Sequence, residues 1–326
     1  MYNLMLETVT PALHPTYPER FQETVRRILP IHCYTPAAVE AFIADFEPLL
    51  FDGNSVVVED AAGRQTLCRV NTGEGKTHHI DYIIPDQWEA RHTMVKGALQ
   101  QIVDRFLQNH SAHELRMRVN EQLPSHNAWY AGLLPELGFH LTPRVLMRAE
   151  LSVLEQLTLP ELPPGVAETA HCADQLEQAI ELYKRAYDVG RSDLSAAELA
   201  REHAWEREYI TKIYMLDGTV ATWTGLTQNG QLIGFSCGGV WDDELAIEEV
   251  AIRPEFFGKG LGRYLTLRCM QKLYAQHGGP TTFFQLGTER TNVRALKLYH
   301  RLGFAVSKVE SYVRLINPHF GKEGEA

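Results

Sequence analysis

A mixed, mostly antiparallel sheet flanked by helices, built twice in tandem, is the α/β (α+β) fold class that this sequence predicts. Three observations predict it. The second half runs helices, antiparallel strand patterns, then strand–helix–strand–helix–strand, which suits a mixed sheet covered by helices and not a barrel or a sandwich. Near the middle, "EQLTLPELPPGV" over residues 155–166 ends in Leu-Pro-Pro-Gly-Val and stops helix and strand patterns alike. The two halves also share a signature. "NAWYAGLLPELGF" from Asn127 to Phe139 and "NVRALKLYHRLGF" from Asn292 to Phe304 run from Asn to Leu-Gly-Phe at one spacing, and a strand-like segment follows each. The expected organisation is a domain over 1–154, a linker over 155–166 and a second domain over 167–326.

Each element has its own signal. Pro36–Leu50 reads as a helix with Val39, Phe42, Ile43 and Phe46 on one face. "SVVVEDAAGRQTLCRV" reads as two strands around a glycine-containing turn, and "HHIDYIIP" as a strand ended by Pro85. Arg91–Asn109 carries Val95, Leu99, Ile102 and Phe106 as a helical stripe, and "ELRMRVNE" is a strand. In the second half, Ala173–Tyr187 has Leu176, Ile180 and Tyr183 at helical spacing, and Ser195 with Glu198 forms a capping-box pattern. "TVATWTGLT" and "QLIGFSCGGV" are strand-like runs around Asn229-Gly230, an Asn-Gly hairpin turn. "LAIEEVAIRP" is the third strand, Leu261–Gln276 a helix, "TTFFQLGT" a strand and Asn292–Leu302 a helix. "VSKVESYVRLI" closes the domain as one or two strands.

Composition narrows the function classes. The chain has 326 residues and a formal net charge of −10, so it lacks the large basic footprint of a nucleic-acid binder and is a poor partner for anionic membranes. It has no apolar run long enough to span a bilayer, and "MYNLMLETVTP" is not a signal peptide, since it lacks a basic start and a long apolar stretch. The five cysteines form no CxxC pair, which fits a reduced, cytoplasmic protein. Zinc-ligand spacing is missing, and the adjacent His78 and His79 point to opposite faces of a strand, so no metal is expected.

The chemistry centres on "IEEVAIRPEFFGKGLGRYL", where Gly258, Gly260 and Gly262 alternate between a strand and a helix. Glycines there let the backbone approach a ligand, and the unpaired N–H groups of the helix start can grip a pyrophosphate. Lys259 and Arg263 add positive charge. The plain alternative is a flexible turn. The run is neither a Walker loop, which needs GxxxxGK and a hydroxyl residue, nor a dinucleotide fingerprint, which needs GxGxxG and a later acidic residue.

Other residues settle what the glycines leave open. The stretch Val250-Ala251-Ile252-Arg253-Pro254 leads into Phe257-Gly258-Lys259-Gly260-Leu261-Gly262, and Asn292, Ala295, Tyr299 and Leu302-Gly303-Phe304 follow. This combination resembles the GCN5-related N-acetyltransferase family, over roughly Gly165 to Phe320. The resemblance implies an acyl-CoA N-acyltransferase fold and transfer of an acetyl group from acetyl-coenzyme A (acetyl-CoA) to an amine. It also implies that backbone N–H groups of Gly258 to Arg263 hold the pyrophosphate, and that Val250, Ala251 and Ile252 flank the cofactor arm in a splay between their strand and "TTFFQLGT". Phe257 departs from the family, which usually has Gln or Arg at that position.

For the transfer, Tyr299 matches the tyrosine that serves the departing thiolate; as a bare sequence feature it is a core aromatic. Asn292 is an N-cap by position, and the resemblance adds contact with the cofactor arm. Glu248 and Glu249 are candidates for the base, with Glu249 preferred: alternation sets Glu248 beside Val250 and Ile252, and Glu249 beside Ala251. Solvated strand residues are the plain reading of both. Asp242, Asp243 and Glu244 form either an acidic attractor for a cationic amine or a solvated loop. Cys237 reads as a small core residue, not a nucleophile. Trp205, Trp223 and Trp241 are pocket candidates, with core or rim packing the stronger reading.

The first half lacks these groups. "DQWEARHTMVKG" follows its strand in place of a glycine loop, with Trp88 and Glu89 where open backbone would be needed. Leu134 stands where Tyr299 stands, and Tyr130 lies four residues earlier. The expectation is a degenerate copy that has lost coenzyme A binding. The acceptor is a small-molecule or peptide amine, and a homodimer is compatible with the sequence. The alternative function is a non-catalytic acyl-CoA sensor or interaction module. A longer acyl chain would need a deeper apolar pocket beside the sulfur.

Overall fold

The computed structural model describes residues 5–8, 36–46, 55–59, 65–71, 77–85, 91–120, 124–171, 173–188, 196–214, 220–241, 244–278 and 283–320, with Glu19, Gln22, Glu23 and Arg26. The Ser195 cap, Asp242, Asp243, Trp88, Glu89 and the side chain of Trp205 fall outside the described residues. The chain divides into two compact units: 1–143 with 309–326, and 144–308.

In the first unit, β1 (Met5–Thr8), β2 (Ser55–Glu59), β3 (Gln65–Asn71) and β4 (Thr77–Pro85) form an antiparallel series. β5 (Glu114–Asn120) joins parallel to β4, a pairing that needs a crossover connection, usually a helix. That helix is α2 (Arg91–Gln108), and α1 (Pro36–Phe46) precedes β2. Leu99, Ile102 and Phe106, the stripe read from the sequence, are buried with Leu115 and Leu134. His78 is buried and His79 exposed, as strand alternation requires.

The second unit opens with the later part of β6 (His140–Glu150), which follows α3 (Pro124–Glu136) in the sequence. A short helix α4 (Val153–Gln156) and β7 (Val166–Thr169) come next; β7 is a strand that the sequence pattern did not suggest. Then follow α5 (Leu176–Asp188), α6 (Ala196–Tyr214), β8 (Val220–Gln228), β9 (Gln231–Trp241), β10 (Glu244–Ile252), α7 (Leu261–His277), β11 (Phe283–Glu289) and α8 (Val293–Arg301). The strand order is β6-β11-β10-β9-β8-β7, antiparallel except for β10 with β11. The β8–β9 hairpin turns at Asn229-Gly230, both at positive φ, as the Asn-Gly pair predicts. α5 and α6 cover a core of Ile180, Tyr183, Ile210, Phe235 and Ala251. Leu261 and Leu265 of α7 pack against Leu226 of β8 and Ile233 of β9. Glu168 on β7 holds α7 in place through Tyr264 at 2.7 Å, Arg268 at 2.9 Å and Lys272 at 3.2 Å.

The last strand departs from expectation. The segment read as closing the second half is one strand, β12 (Ala305–Ile316), and its Glu310–Ile316 part pairs with β5 of the first unit. Arg144–Glu150 of β6, from the first half of the sequence, pairs with β11. Both strands follow a Leu-Gly-Phe turn and carry similar patterns, so local sequence does not say which sheet edge each one completes.

The two Leu-Gly-Phe turns have one geometry. Gly138 and Gly303 sit at φ +84° and +88°, a region that favours glycine. The N–H of Phe139 bonds to the carbonyl of Leu134, and the N–H of Phe304 to that of Tyr299, each at 3.0 Å. Leu134 and Tyr299 are therefore equivalent positions in their own helices. Among the described residues, no helix is long and apolar enough to cross a membrane, and no group of three His, Cys, Asp or Glu side chains gathers as a metal site.

Candidate active site

After β10 the chain makes a tight turn at Pro254–Phe256 and enters the glycine loop. The three glycines serve different needs. Gly258 and Gly260 both sit at φ +80°, and a Cβ at either would meet open space. They are there for backbone conformation, with the surface above them clear. Gly262 lies at the first turn of α7, where a Cβ would stand 3.2 Å from Leu298 Cδ2 and 3.4 Å from Ile252 Cδ1. Its role is close packing of α7 against α8 and β10. Gly260 caps α7 without a side-chain acceptor, so the N–H groups of Leu261, Gly262 and Arg263 receive no side-chain cap. A helix start of this kind suits an anion.

The neighbouring strands open a gap. β10 pairs with β11 only over Leu245–Ile247 with Phe284–Leu286. Beyond that, Glu249 to Ile252 stay on β9 while Gly287 to Glu289 stay on β6. The backbones of Val250, Ala251 and Ile252 thus run past the end of the parallel pairing, towards the glycine loop. A bulge between Ile247 and Glu249 accompanies the divergence, with Glu248 as the extra residue.

The bulge decides how the two glutamates are presented. Alternation holds from Glu249 onward: Ala251 packs under α5 and α6, while Val250 and Ile252 pack with α7. Glu248 sits in the bulge, so alternation does not assign its face, which corrects the reading from spacing. Glu249 accepts hydrogen bonds from Tyr187 of α5 at 2.7 Å and Tyr209 of α6 at 2.9 Å. Burial pushes its pKa up to about 7, against the pull of those two bonds; the Glu248 charge adds to the rise and Arg144 offsets it. Glu249 nevertheless keeps part of its surface accessible. Burial also raises Glu248, with Arg144 opposing.

Tyr299 is buried on α8 with its ring edge-on to Phe304 at 6.1 Å. Burial, and then the Glu249 charge, hold its phenol well above the usual range, so it keeps its proton at neutral pH. Asn292 is the N-cap of α8, its Oδ1 accepting from the Ala295 N–H at 3.1 Å. Cys237 pairs with Glu249 in register and is wholly buried; burial pushes its thiol up, away from the thiolate a nucleophile needs. Trp223 is core, Trp241 is exposed, and Glu244 is ion-paired to Arg148 at 2.8 Å.

Three groups of residues at this site escaped the sequence reading. Tyr187 and Tyr209 reach Glu249 from 62 and 40 positions away, and no local pattern marks them. Arg144, on β6, lays its guanidinium over Gly287, with Nη2 2.8 Å from where a Cβ would stand, and its charge lowers Glu248, Glu249 and Tyr299 together. At the loop, Lys259 and Phe257 were expected but Arg294 and the stacking were not: Lys259 lies over the Phe256 ring at 4.6 Å and Arg294 over the Phe257 ring at 3.9 Å.

Residues 176–304 match the Acetyltransferase (GNAT) family. The spore coat polysaccharide biosynthesis protein SpsD of Bacillus subtilis is 31% identical over 100 residues, 31% of this chain and 34% of that protein. Mycothiol acetyltransferase of Mycolicibacterium smegmatis is 34% identical over 85 residues, 26% of this chain and 29% of that protein. The ribosomal protein bS18 alanine N-acetyltransferase of Escherichia coli is 34% identical over 79 residues, 24% of this chain and 51% of that protein. The chain thus spans about half or less of the length of each of these relatives. Two solved structures align over almost the whole chain. A GCN5-related N-acetyltransferase from Sphaerobacter thermophilus has TM-score 0.54 and 17% identity, covering 97% of this chain and 98% of that one. A tandem GNAT protein from the clavulanic acid biosynthesis pathway has TM-score 0.54 and 15% identity, covering 97% and 99%. The glycine loop, the parted strands and the Tyr299 helix all lie within the matched residues, and the chain has the GNAT-family acetyltransferase fold.

Proposed function

We propose that this protein is an N-acetyltransferase that moves an acetyl group from acetyl-CoA directly to a primary amine of a small molecule or peptide. One observation carries the reading: β10 parts from β11 and leads directly into a helix start with open N–H groups. That backbone fits a long thioester cofactor with a diphosphate. The N–H groups of Gly258 to Arg263 would hold the diphosphate, and the free edge of Val250 to Ile252 would line the arm. Acetyl-CoA, when bound, supplies a thioester whose acyl carbon an amine can attack.

This chain's own residues handle the protons. Glu249, with a pKa near 7, accepts a proton from the incoming ammonium, directly or through water. Tyr187 and Tyr209 fix the carboxylate from α5 and α6. Tyr299 keeps its proton at neutral pH and offers it where the departing thiolate needs one. The test is calorimetric titration of acetyl-CoA into wild type and Gly260→Asp, followed by an amine panel scored for free thiol. Binding that disappears in the still-folded variant, with thiol release for some amine, is expected. Tight binding with no acetyl consumed by any amine would leave the sensor reading instead.

The tandem reading is also a proposal: an active copy over 167–326 and a degenerate one over 1–154, joined at 155–166. Each unit has three antiparallel pairings, one parallel pairing and one final antiparallel strand, in that order. A single crossover helix links the parallel strands, α2 in one unit and α7 in the other. The matching turns at Gly138 and Gly303 support a duplication, as does each copy's last strand lying in the other unit.

A further inference from the structure

The glycine loop gathers more positive charge than backbone binding requires. From Arg253 to Arg263 it holds one acid, Glu255, and three bases, in a chain whose net charge is −10. The one acid is already engaged, 3.5 Å from Arg185. Arg294, from the first turn of α8, joins the loop by stacking on Phe257. Phe256 is partly buried against Leu261 and Leu265, and it carries Lys259 in the same way. Two consecutive aromatic rings therefore each support one cation beside open helix-start N–H groups.

The stack does something that a lone surface arginine cannot. An arginine on a surface helix samples many rotamers, and fixing it in one costs entropy. A ring under the flat face removes much of that freedom and leaves the in-plane N–H donors pointing outward. Those donors match the oxygens of a phosphate, which can accept two of them at once.

We infer that Phe257 and Arg294 form a phosphate clamp at the glycine loop, the ring holding the guanidinium and the guanidinium taking the phosphate. This rests on the coenzyme A reading and deepens it. Phe257, which breaks the family's polar pattern, then supports the missing charge from α8. Coenzyme A offers two sources of the same chemistry, its diphosphate and its 3′-phosphate.

Calorimetric titration with coenzyme A and with dephospho-coenzyme A, which lacks the 3′-phosphate, tests the clamp. Wild type, Arg294→Gln, Phe257→Leu and the double variant are compared at two salt concentrations. Arg294→Gln is expected to weaken coenzyme A binding about tenfold and to flatten its salt dependence. Phe257→Leu weakens binding less, and the double variant is no worse than Arg294→Gln, because the ring acts through the guanidinium. Loss confined to coenzyme A assigns the 3′-phosphate, and equal loss with both ligands assigns the diphosphate. Wild-type binding with Arg294→Gln unchanged, or with the two substitutions additive, overturns the clamp and leaves the coenzyme A reading standing. No binding by wild type takes down both.

Discussion

The two units share a backbone device and differ in what they hang on it. In the first, β4 and β5 pair in parallel only over Thr77–His79 with Glu114–Arg116. In the second, β10 and β11 do so only over Leu245–Ile247 with Phe284–Leu286. Each leading strand then has a bulge, at Asp81 in β4 and at Glu248 in β10. Yet Arg116 in the first unit is ion-paired to buried Glu114 at 2.6 Å, whereas Leu245 and Phe284 of the second are buried apolar residues. The first unit has Leu134 where the second has Tyr299, and no glycine run follows its β4. On the proposed reading the first unit keeps the parted-strand shape without its chemistry, because backbone pairing sets the shape and a few side chains and glycines set the chemistry.

The sharpest way to break this comparison is to remove one carboxylate from each unit. Glu249→Gln keeps the size of the side chain and loses the proposed base, so kcat should fall by about 10²–10⁴. Asp81→Asn, on the corresponding strand of the first unit, should leave kcat within about twofold of wild type. Steady-state kinetics on both variants decides. Equal losses would mean that the first unit is not the silent one.

Tyr299→Phe sharpens the contrast at the helix. Turnover should drop by about 10²-fold while the acetyl-CoA Kd stays within about twofold, as expected for a group that acts on the leaving sulfur. The reciprocal change, Leu134→Tyr, gives the first unit its missing phenol. Leu134 is fully buried, so the larger ring should overpack the core and cost about 1–3 kcal/mol in denaturant unfolding, with no activity gained. A gain in activity from Leu134→Tyr would show that the missing tyrosine was all the first unit lacked.

Much of this was legible in the sequence, for a physical reason. The glycine loop and Tyr299 are set by short-range conformation and helix spacing, which local residues encode. The helix stripe of Val95, Leu99 and Ile102 is buried as its period requires. What stayed hidden depends on long-range contact. Tyr187 and Tyr209 meet Glu249 only because α5 and α6 cross the same face of the sheet. Arg144 arrives on a strand that follows a turn in the other half of the sequence, and the Arg294 stack joins two separate helix starts. The bulge at Glu248 was invisible because a strand pattern assumes unbroken alternation.

The smallest expected effect tests the carboxylate's setting. If Glu249, with its pKa near 7, is the base as proposed, it works ionised, and kcat/KM should rise with pH through about 7 and then level off. The Tyr187 hydrogen bond stabilises the ionised form, so Tyr187→Phe should move that limb to higher pH and leave the plateau within about threefold. Tyr209→Phe should move it the same way, its bond being longer by 0.2 Å, from 2.9 against 2.7 Å. Stability carries the same sign. The folded state holds the Glu249 proton more tightly than an unfolded chain, where a glutamate titrates at about 4.5, so stability falls as pH rises from about 4.5 to about 7. Glu249→Gln removes that cost and should flatten the fall over this range. A limb that stays in place in both Tyr187→Phe and Tyr209→Phe would mean that Glu249 does not set it, and the base would then have to be sought at Glu248.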